Sequence, residues 1–175
     1  QTGYGIVLTN GAVQTVPSIG GGICQVATTV FHAAFHTGVP IGERNWHFYW
    51  IPTYGQAPSG MTGLDATVDE DYGLDFTFRN TTGNWMALES SGDGSNLYVT
   101  LRGVNPGWNI QVSGPTVSNV KPADPKPVER VDPTFPPGKR VAVETARDGM
   151  DVSITRTVLK AGQIVDQRTF NSHYE

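Results

Sequence analysis

Cysteine is almost absent from this chain of 175 residues, which holds a single one, Cys24. One cysteine excludes an intrachain disulfide, and it leaves the redox compartment of the protein open. Charge is also scarce, because charged residues make up 16% of the chain and the net charge is −4. Lysine and arginine form no cluster. We therefore expect neither nucleic acid nor an anionic membrane surface as a partner.

Long apolar runs are missing too, since no stretch approaches the roughly 20 residues that a membrane-spanning helix needs. The sequence has no initiator methionine and no signal sequence, so we interpret it as a trimmed or mature fragment. Glycine and proline are abundant by contrast, at 21 and 12 residues, which favours turns and short strands over long helices. The length suits one domain with an appendage, and we expect a monomer.

Three consecutive glycines precede the cysteine, and residues 24–37 have the apolar spacing of a helix. This helix is apolar over most of its circumference, so we expect it to be central and buried, and to end at Gly38. Cys24 then lies in the first turn, where unpaired N–H groups and the helix dipole favour an anion. A thiolate there can be a nucleophile and an acyl carrier. The alternative is a small buried cysteine packed under a glycine turn.

The rest of the chain predicts strands. Asn10-Gly11 is a hairpin turn dipeptide between two short strands at 4–15. Further strands are predicted from alternating or aromatic-rich patterns at 45–51, 64–68, 74–78, 85–89 and 96–102. The predicted fold class is α+β, with an antiparallel sheet packed around one buried helix and a small C-terminal β segment.

Proline marks the predicted domain boundaries. Seven of the twelve prolines lie between Gly114 and Gly138, which is typical of an extended, semi-rigid connector. We therefore predict a first domain at 1–114, a connector at 115–138 and a β segment at 139–175. The last segment is marginal for a core of its own, so we expect it to dock on the first domain.

Four sequence blocks carry a family resemblance: SIGGGICQVATTVF at 18–31, ERNWH at 43–47, GLDATV at 63–68 and GLDFTFRN at 73–80. Their order and spacing resemble the VanW domain family of bacterial cell-envelope proteins, over about the first half of the chain. The resemblance implies an extracytoplasmic location, with a full-length protein that is secreted or membrane-anchored. It also implies peptidoglycan L,D-transpeptidation through the motif cysteine, with stem peptides as partners. Residues 155–174 resemble the small β modules that often follow VanW domains.

A cysteine nucleophile needs a base, and the chain offers four histidines. His32 and His36 have a spacing that can bind metal, but Ala33 stands where a zinc protease has glutamate. We expect these two to form a solvated polar stripe. His173 lies outside the resemblance and has no argued role. The resemblance carries His47 over as an active-site residue; the alternative is a hydrogen-bonded histidine in an aromatic core.

An imidazole base usually has an orienting partner, for which Asp65 is the first candidate and Glu43 the second. Asp65 interrupts a strand-like run where a carboxylate is otherwise costly; the alternative is a strand-end cap. Arg44 could pair with a substrate carboxylate or with an acidic neighbour, and we favour the structural role. Backbone N–H groups at the helix start are the candidates for oxyanion and substrate binding, around Gly22, Ile23 and Gln25.

The function predicted from the resemblance is an L,D-transpeptidase without metal or organic cofactor. Cys24 would attack a stem-peptide diamino acid and expel the terminal D-amino acid, and the thioester would pass to an amine of a neighbouring stem. His47 would shuttle the proton and Asp65 would orient it. Two other functions stay open. With water as acceptor the same residues make a wall peptidase or amidase, and with an inert Cys24 the chain is a cell-wall-binding module.

Overall fold

The structure is a computed structural model, which describes the backbone of 2–9 and 12–19 and all of residues 21–55, 60–127, 129, 131, 133, 136–142 and 145–175. Its elements are β1 (Thr2–Thr9), β2 (Ala12–Ile19), α1 (Ile23–Thr37), the one-turn helix α2 (Pro52–Gly55), β3 (Met86–Gly92), β4 (Leu97–Gly103), β5 (Trp108–Lys121), β6 (Gly149–Lys160) and β7 (Gln163–Tyr174). The strands form three antiparallel sheets, ordered β1-β2, β3-β4 and β5-β6-β7.

The predicted α+β fold class is wrong, because the described chain is mostly β. Its strands lie in separate sheets instead of one sheet around a helix. The helix α1 is also not buried all round: Ile23 and Val26 are 54% and 49% exposed, whereas Phe31 and Phe35 are fully buried. Apolar periodicity gives the width of an apolar face, but it does not say how much of that face other residues cover.

The strands expected between 45 and 78 are reduced to isolated bridges, such as Asn45 with Thr67. Some backbone N–H groups of this segment donate to side-chain oxygens, whereas in a β-ladder they would donate to the backbone of a neighbouring strand. The N–H of Glu43 donates to Thr77 Oγ1 (2.8 Å), and the N–H of Asp75 donates to Glu43 Oε1 (3.0 Å). The segment with His47 is therefore an irregular loop and not a strand. The strand predicted at 45–51 is therefore wrong apart from the single bridge at Asn45.

The helix itself is predicted well. It begins one residue before the expected start, after Gly22, and ends at Gly38 with a left-handed φ of 86°. The Gly38 N–H donates to the carbonyls of Ala34 (3.2 Å) and Phe35 (3.3 Å), as in a glycine helix stop. The strands expected around Asn10-Gly11 are confirmed as β1 and β2; the turn dipeptide itself lies outside the described residues.

The buried face of α1 packs against the C-terminal sheet. The rings of Phe31 and Phe35 lie 5.8 and 5.3 Å from the Phe170 ring, centroid to centroid. Arg156 on β6 is fully buried and donates from Nη1 to the Phe35 carbonyl (3.2 Å). A cation near a helix C-terminus is favourable because of the helix dipole. The helix and the strands β6 and β7 therefore share one core.

Strand β5 continues past residue 114 to Lys121, so residues 115–121 lie within its span. Thr116 is opposite Ser153, and Val117 is opposite Val152. The domain boundaries predicted at 114 and 138 stay a prediction.

Gly63 links the first half of the chain to β6, and its replacement tests that contact. Its φ is 90°, and an added Cβ would lie 2.6 Å from Cγ1 of the buried Val152. Gly83 has a similar φ of 77°, but no described atom lies within 4 Å of its Cβ position. We expect Gly83→Ala to cost about 1 kcal/mol from backbone strain. Gly63→Ala should cost about 1–3 kcal/mol more, because Val152 must move. Urea unfolding measures both; equal losses would contradict the close approach to β6.

Candidate active site

Cys24 is the second residue of α1 and is half-buried. Its thiol donates a hydrogen bond to the Val68 carbonyl, with 3.6 Å between sulfur and oxygen. The side chain of His47 is another described neighbour that interacts with this thiol. The helix start and the loop after Ile41 thus place a thiol beside an imidazole, the two groups that a cysteine nucleophile and its base would require.

The first turn of α1 presents backbone donors around the thiol. The first helical hydrogen bond runs from the Val26 N–H to the Gly22 carbonyl (3.1 Å), so the N–H groups of residues 23–25 have no acceptor within the helix. The side chains of Ile23 and Gln25 are exposed. No described atom lies within 4 Å of a Cβ placed on Gly22.

His47 is held by Asp65. Asp65 Oδ2 lies 2.6 Å from Nδ1 of the imidazole and 2.7 Å from the backbone nitrogen of His47. An ionised carboxylate only accepts, so Nδ1 carries a proton and Nε2 is left for the Cys24 thiol. The ring of Tyr54 packs against the imidazole, with 5.1 Å between centroids. This is the geometry of a cysteine, histidine and carboxylate triad.

Arg44 faces the interior and bonds to groups of the protein. Its side chain is 2% exposed, and its Nη2 donates to Asp65 Oδ1 (3.0 Å). Its Nε donates to the Asp65 carbonyl (2.6 Å), and further bonds reach Gly63, Asn171 and Ser172. The guanidinium also lies 5.5 Å from the centroid of the Phe31 ring. A substrate carboxylate would have to displace these acceptors.

Burial, hydrogen bonds and charges shift the pKa values of Cys24 and His47 in opposite directions. Burial alone would raise the pKa of Cys24, but hydrogen bonds with His47 and Val68, together with the charge of His47, outweigh it and hold that pKa below its ordinary value. Burial alone would lower the pKa of His47, but hydrogen bonds with Asp65 and Cys24 raise it to about 9. The directions of the two pKa shifts both favour transfer of the proton from the thiol to the imidazole.

The same balance holds for the carboxylate. Burial would raise the pKa of Asp65, but the hydrogen bond with His47 and the positive charge of Arg44 hold it below the ordinary range. Burial lowers the pKa of Arg44, and Asp65 opposes that change. Asp65 is therefore an anion at neutral pH, and it stabilises a positive imidazole.

The family model described as VanW like protein matches residues 1–102, which is more than half of the chain. The chain belongs to the VanW family. This confirms the resemblance found in the sequence, and it indicates a cell-wall-related function. A protein of Bacillus subtilis (strain 168), named "Uncharacterized protein YoaR", is 35% identical over 83 residues. No solved structure matches the chain significantly.

Those 83 residues are 47% of this chain and 25% of the Bacillus protein, so the chain spans about a quarter of that relative's length. The VanW match contains Cys24, His47 and Asp65, and it ends before β5. Within the described part of the chain, neither helix has the length and apolarity needed to cross a bilayer.

The other candidate side chains in this VanW protein bond elsewhere. His36 lies at the surface, but neighbouring residues cover part of its ring. This partial burial and the positive charge of Arg156 lower its pKa. Across the described ranges, no three His, Cys, Asp or Glu side chains are grouped to hold a metal ion. The observed partners are Leu64 for His32, Asp151 and Glu175 for His173, and Asn45 and Asp75 for Glu43.

Sequence reasoning missed Tyr174, which lies outside the VanW match. Its hydroxyl donates to Asp65 Oδ1 (2.5 Å), and its side chain is almost fully buried. A signal was available, because Phe170, Ser172 and Tyr174 alternate with polar residues and share the buried face of β7. That pattern predicts a buried side chain, but it does not predict which residue the side chain meets.

Proposed function

We propose that this VanW protein is a peptidoglycan L,D-transpeptidase that works through a thioester on Cys24. The observation that carries the proposal is the hydrogen-bonded chain from Asp65 through His47 to Cys24 at the start of α1. Membership of a cell-wall-related family supplies the substrate class. Both are needed, because a cysteine triad alone serves many acyl transfers.

In the first half-reaction the Cys24 thiolate attacks the carbonyl of a stem-peptide diamino acid. The carbonyl oxygen takes up negative charge, which the N–H groups of the first turn of α1 and the helix dipole stabilise. The carbon–nitrogen bond then breaks, and the terminal D-amino acid leaves as an amine with the proton that His47 gives it. A thioester on Cys24 remains.

In the second half-reaction a side-chain amine of a neighbouring stem attacks the thioester carbonyl. His47 removes a proton from this amine, an amide bond forms, and the carbon–sulfur bond breaks to return the thiolate. Asp65 keeps the imidazole oriented in both steps and stabilises its positive form. The exposed apolar side chains of Ile23 and Val26, on the first turn, are placed to contact the stem peptides and to keep water away.

These substrates place the active protein outside the cytoplasm, facing the wall. The stem peptides are its proposed partners, and no bound cofactor takes part in the scheme. Arg44 has a positioning role in it, since its donors meet protein oxygens.

Incubation with a disaccharide-tetrapeptide, followed by mass analysis, tests the proposal. We expect a cross-linked dimer and free D-amino acid, and a covalent adduct on Cys24 when the reaction is quenched in acid. Prior treatment with iodoacetamide is a selective control, because Cys24 is the only thiol in the chain; it should stop the reaction.

Other products distinguish the alternative functions. Shortened monomer without dimer means that water is the acceptor, which would replace the transpeptidase by a peptidase. No conversion, together with a thiol that reacts only after unfolding, would support a cell-wall-binding module and overturn both enzymatic functions.

A further inference from the structure

Four hydrogen bonds hold the Asp65 carboxylate, two on each oxygen. Oδ2 accepts from the backbone N–H and the Nδ1–H of His47, as described above. Oδ1 accepts from Arg44 Nη2 (3.0 Å) and from the Tyr174 hydroxyl (2.5 Å). The oxygen that faces away from the imidazole is therefore fixed by two residues, one of which comes from the last strand of the chain.

The end of β7 is seated firmly beside the loop that carries His47. Tyr174 is 1% exposed and packs with Met150 and Val152 of β6, and Trp50 covers this small cluster. The next residue, Glu175, donates its N–H to the carbonyl of Phe48 (2.9 Å). The docking of β7 therefore fixes the position of the Tyr174 hydroxyl, and the packing around the ring restricts the side chain to this orientation.

Arg44 alone would fix the Asp65 carboxylate less firmly than Arg44 and Tyr174 do together. Its Nη2 serves Asp65 Oδ1, the Gly63 carbonyl (2.8 Å) and Ser172 Oγ (3.0 Å) at the same time. Nη2 has two N–H protons for these three acceptors, so Oδ1 competes with two other oxygens for them. The Tyr174 hydroxyl has one proton, and the short distance to Oδ1 shows where it goes.

We propose that Tyr174 is a positioning residue: its hydroxyl fixes the Asp65 carboxylate, so that the other oxygen aligns His47 toward Cys24. This inference rests on the proposed cysteine chemistry and deepens it. It means that a strand outside the VanW match completes the catalytic geometry. The groups that face the triad are Tyr54 beside His47, Asp69 near Cys24, and Arg44 with Tyr174 on Asp65.

Tyr174→Phe in the full chain removes the hydroxyl and keeps the ring. We expect the carboxylate to turn more freely, so that it stabilises the imidazolium less and the thiolate is protonated at a higher pH. We expect alkylation of Cys24 by iodoacetamide to become fast only at a higher pH. The midpoint of the rise in rate with pH should move up by about 0.5–1 pH unit. The downfield Nδ1–H resonance of His47 in the proton NMR spectrum should move upfield or broaden.

Tyr98→Phe is the matched control. It removes a similar bond, from the Tyr98 hydroxyl to Asp93 Oδ2 (2.9 Å), on an exposed surface. It should leave the pH profile and the His47 resonance unchanged. A folded Tyr174→Phe protein with both readouts as in the wild type would overturn the positioning role.

A variant that fails to fold by near-ultraviolet circular dichroism is replaced by a measurement on the unsubstituted chain. With ¹³C at Cζ of tyrosine, the Tyr174 resonance should shift with the same midpoint as Cys24 alkylation. A resonance that ignores this titration would overturn the inference.

These readouts need no peptidoglycan substrate, so the two proposals can fail separately. Shifted profiles without any product from stem peptides would leave the positioning role standing and remove the transpeptidase. Product formation together with an unchanged pH profile in Tyr174→Phe would support the transpeptidase and overturn the positioning role. A wild-type Cys24 that resists alkylation until the chain unfolds would overturn both.

Discussion

Cys24→Ala is expected to lower stem-peptide conversion by at least about a thousandfold, because it removes the proposed nucleophile. The same change should cost less than about 1 kcal/mol of unfolding free energy, since the lost side chain is small and only half-buried. Mass analysis of the products and urea unfolding measure the two effects on the same preparation.

Cys24→Ser separates nucleophilicity from shape. Serine has nearly the size of cysteine, but its hydroxyl is far harder to deprotonate, so we expect this variant to be inactive as well. Conversion by either variant at the wild-type rate would contradict a covalent role for Cys24. A loss of activity accompanied by unfolding would leave the variant uninformative for chemistry, and so the stability measurement belongs to the same experiment.

Asp65→Asn is expected to destabilise the protein by about 3–5 kcal/mol, because it leaves the buried Arg44 cation without its anion. Asparagine keeps the shape of the side chain, so the loss reports on charge and hydrogen bonding. Urea unfolding measures the change. Glu89→Gln is the control: Glu89 pairs with Arg102 at 2.5 Å, but both side chains are more than half exposed. Such a surface pair should contribute less than about 1 kcal/mol. Equal losses in the two variants would contradict a buried ion pair.

The deficit of Asp65→Asn should also depend on pH. Folding lowers the pKa of Asp65, so the stability from its charge is complete above the unfolded value of about 3.9 and is lost as pH falls through the lower folded value. Folding raises the pKa of His47 to about 9, so that contribution is complete below the unfolded value and is lost as pH rises through about 9. The deficit should be largest between about pH 4 and 6.5.

The part of the fold that sequence predicts best is the part with local signals. The helix α1 follows from apolar spacing and from Gly38, and the strands β1 and β2 follow from a turn dipeptide between alternating residues. The segment from 45 to 78 has the composition of strands, but its partners include side chains such as Thr77 and Glu43, which no periodicity reveals. The fold class is wrong for a different reason: composition predicts strands, but it does not show that they pair in separate sheets instead of one sheet around the helix.

The candidate site divides in the same way. The position of Cys24 at a helix start follows from glycines and apolar spacing. His47 is chosen through the family resemblance, and Asp65 is chosen because a carboxylate interrupts a strand-like run there. The structure brings the three side chains together, and their catalytic roles stay predictions. Tyr174 could not be assigned to Asp65 from sequence, because the two residues are 109 positions apart and nothing local couples them.

The residues that bond to one another around Asp65 are synthesised at different times, because they lie far apart in the sequence. Cys24 and Arg44 are made early, but two acceptors of Arg44 lie on β7, at Asn171 and Ser172, which is synthesised much later. Until that strand docks, the guanidinium must stay hydrated and the Asp65 carboxylate lacks one of its donors. Until β7 has docked, the thiol therefore lacks the full set of bonds that orients Asp65 and His47 beside it. If Tyr174 has the positioning role proposed above, synthesis in this order delays the activation of the Cys24 thiol until β7 has folded.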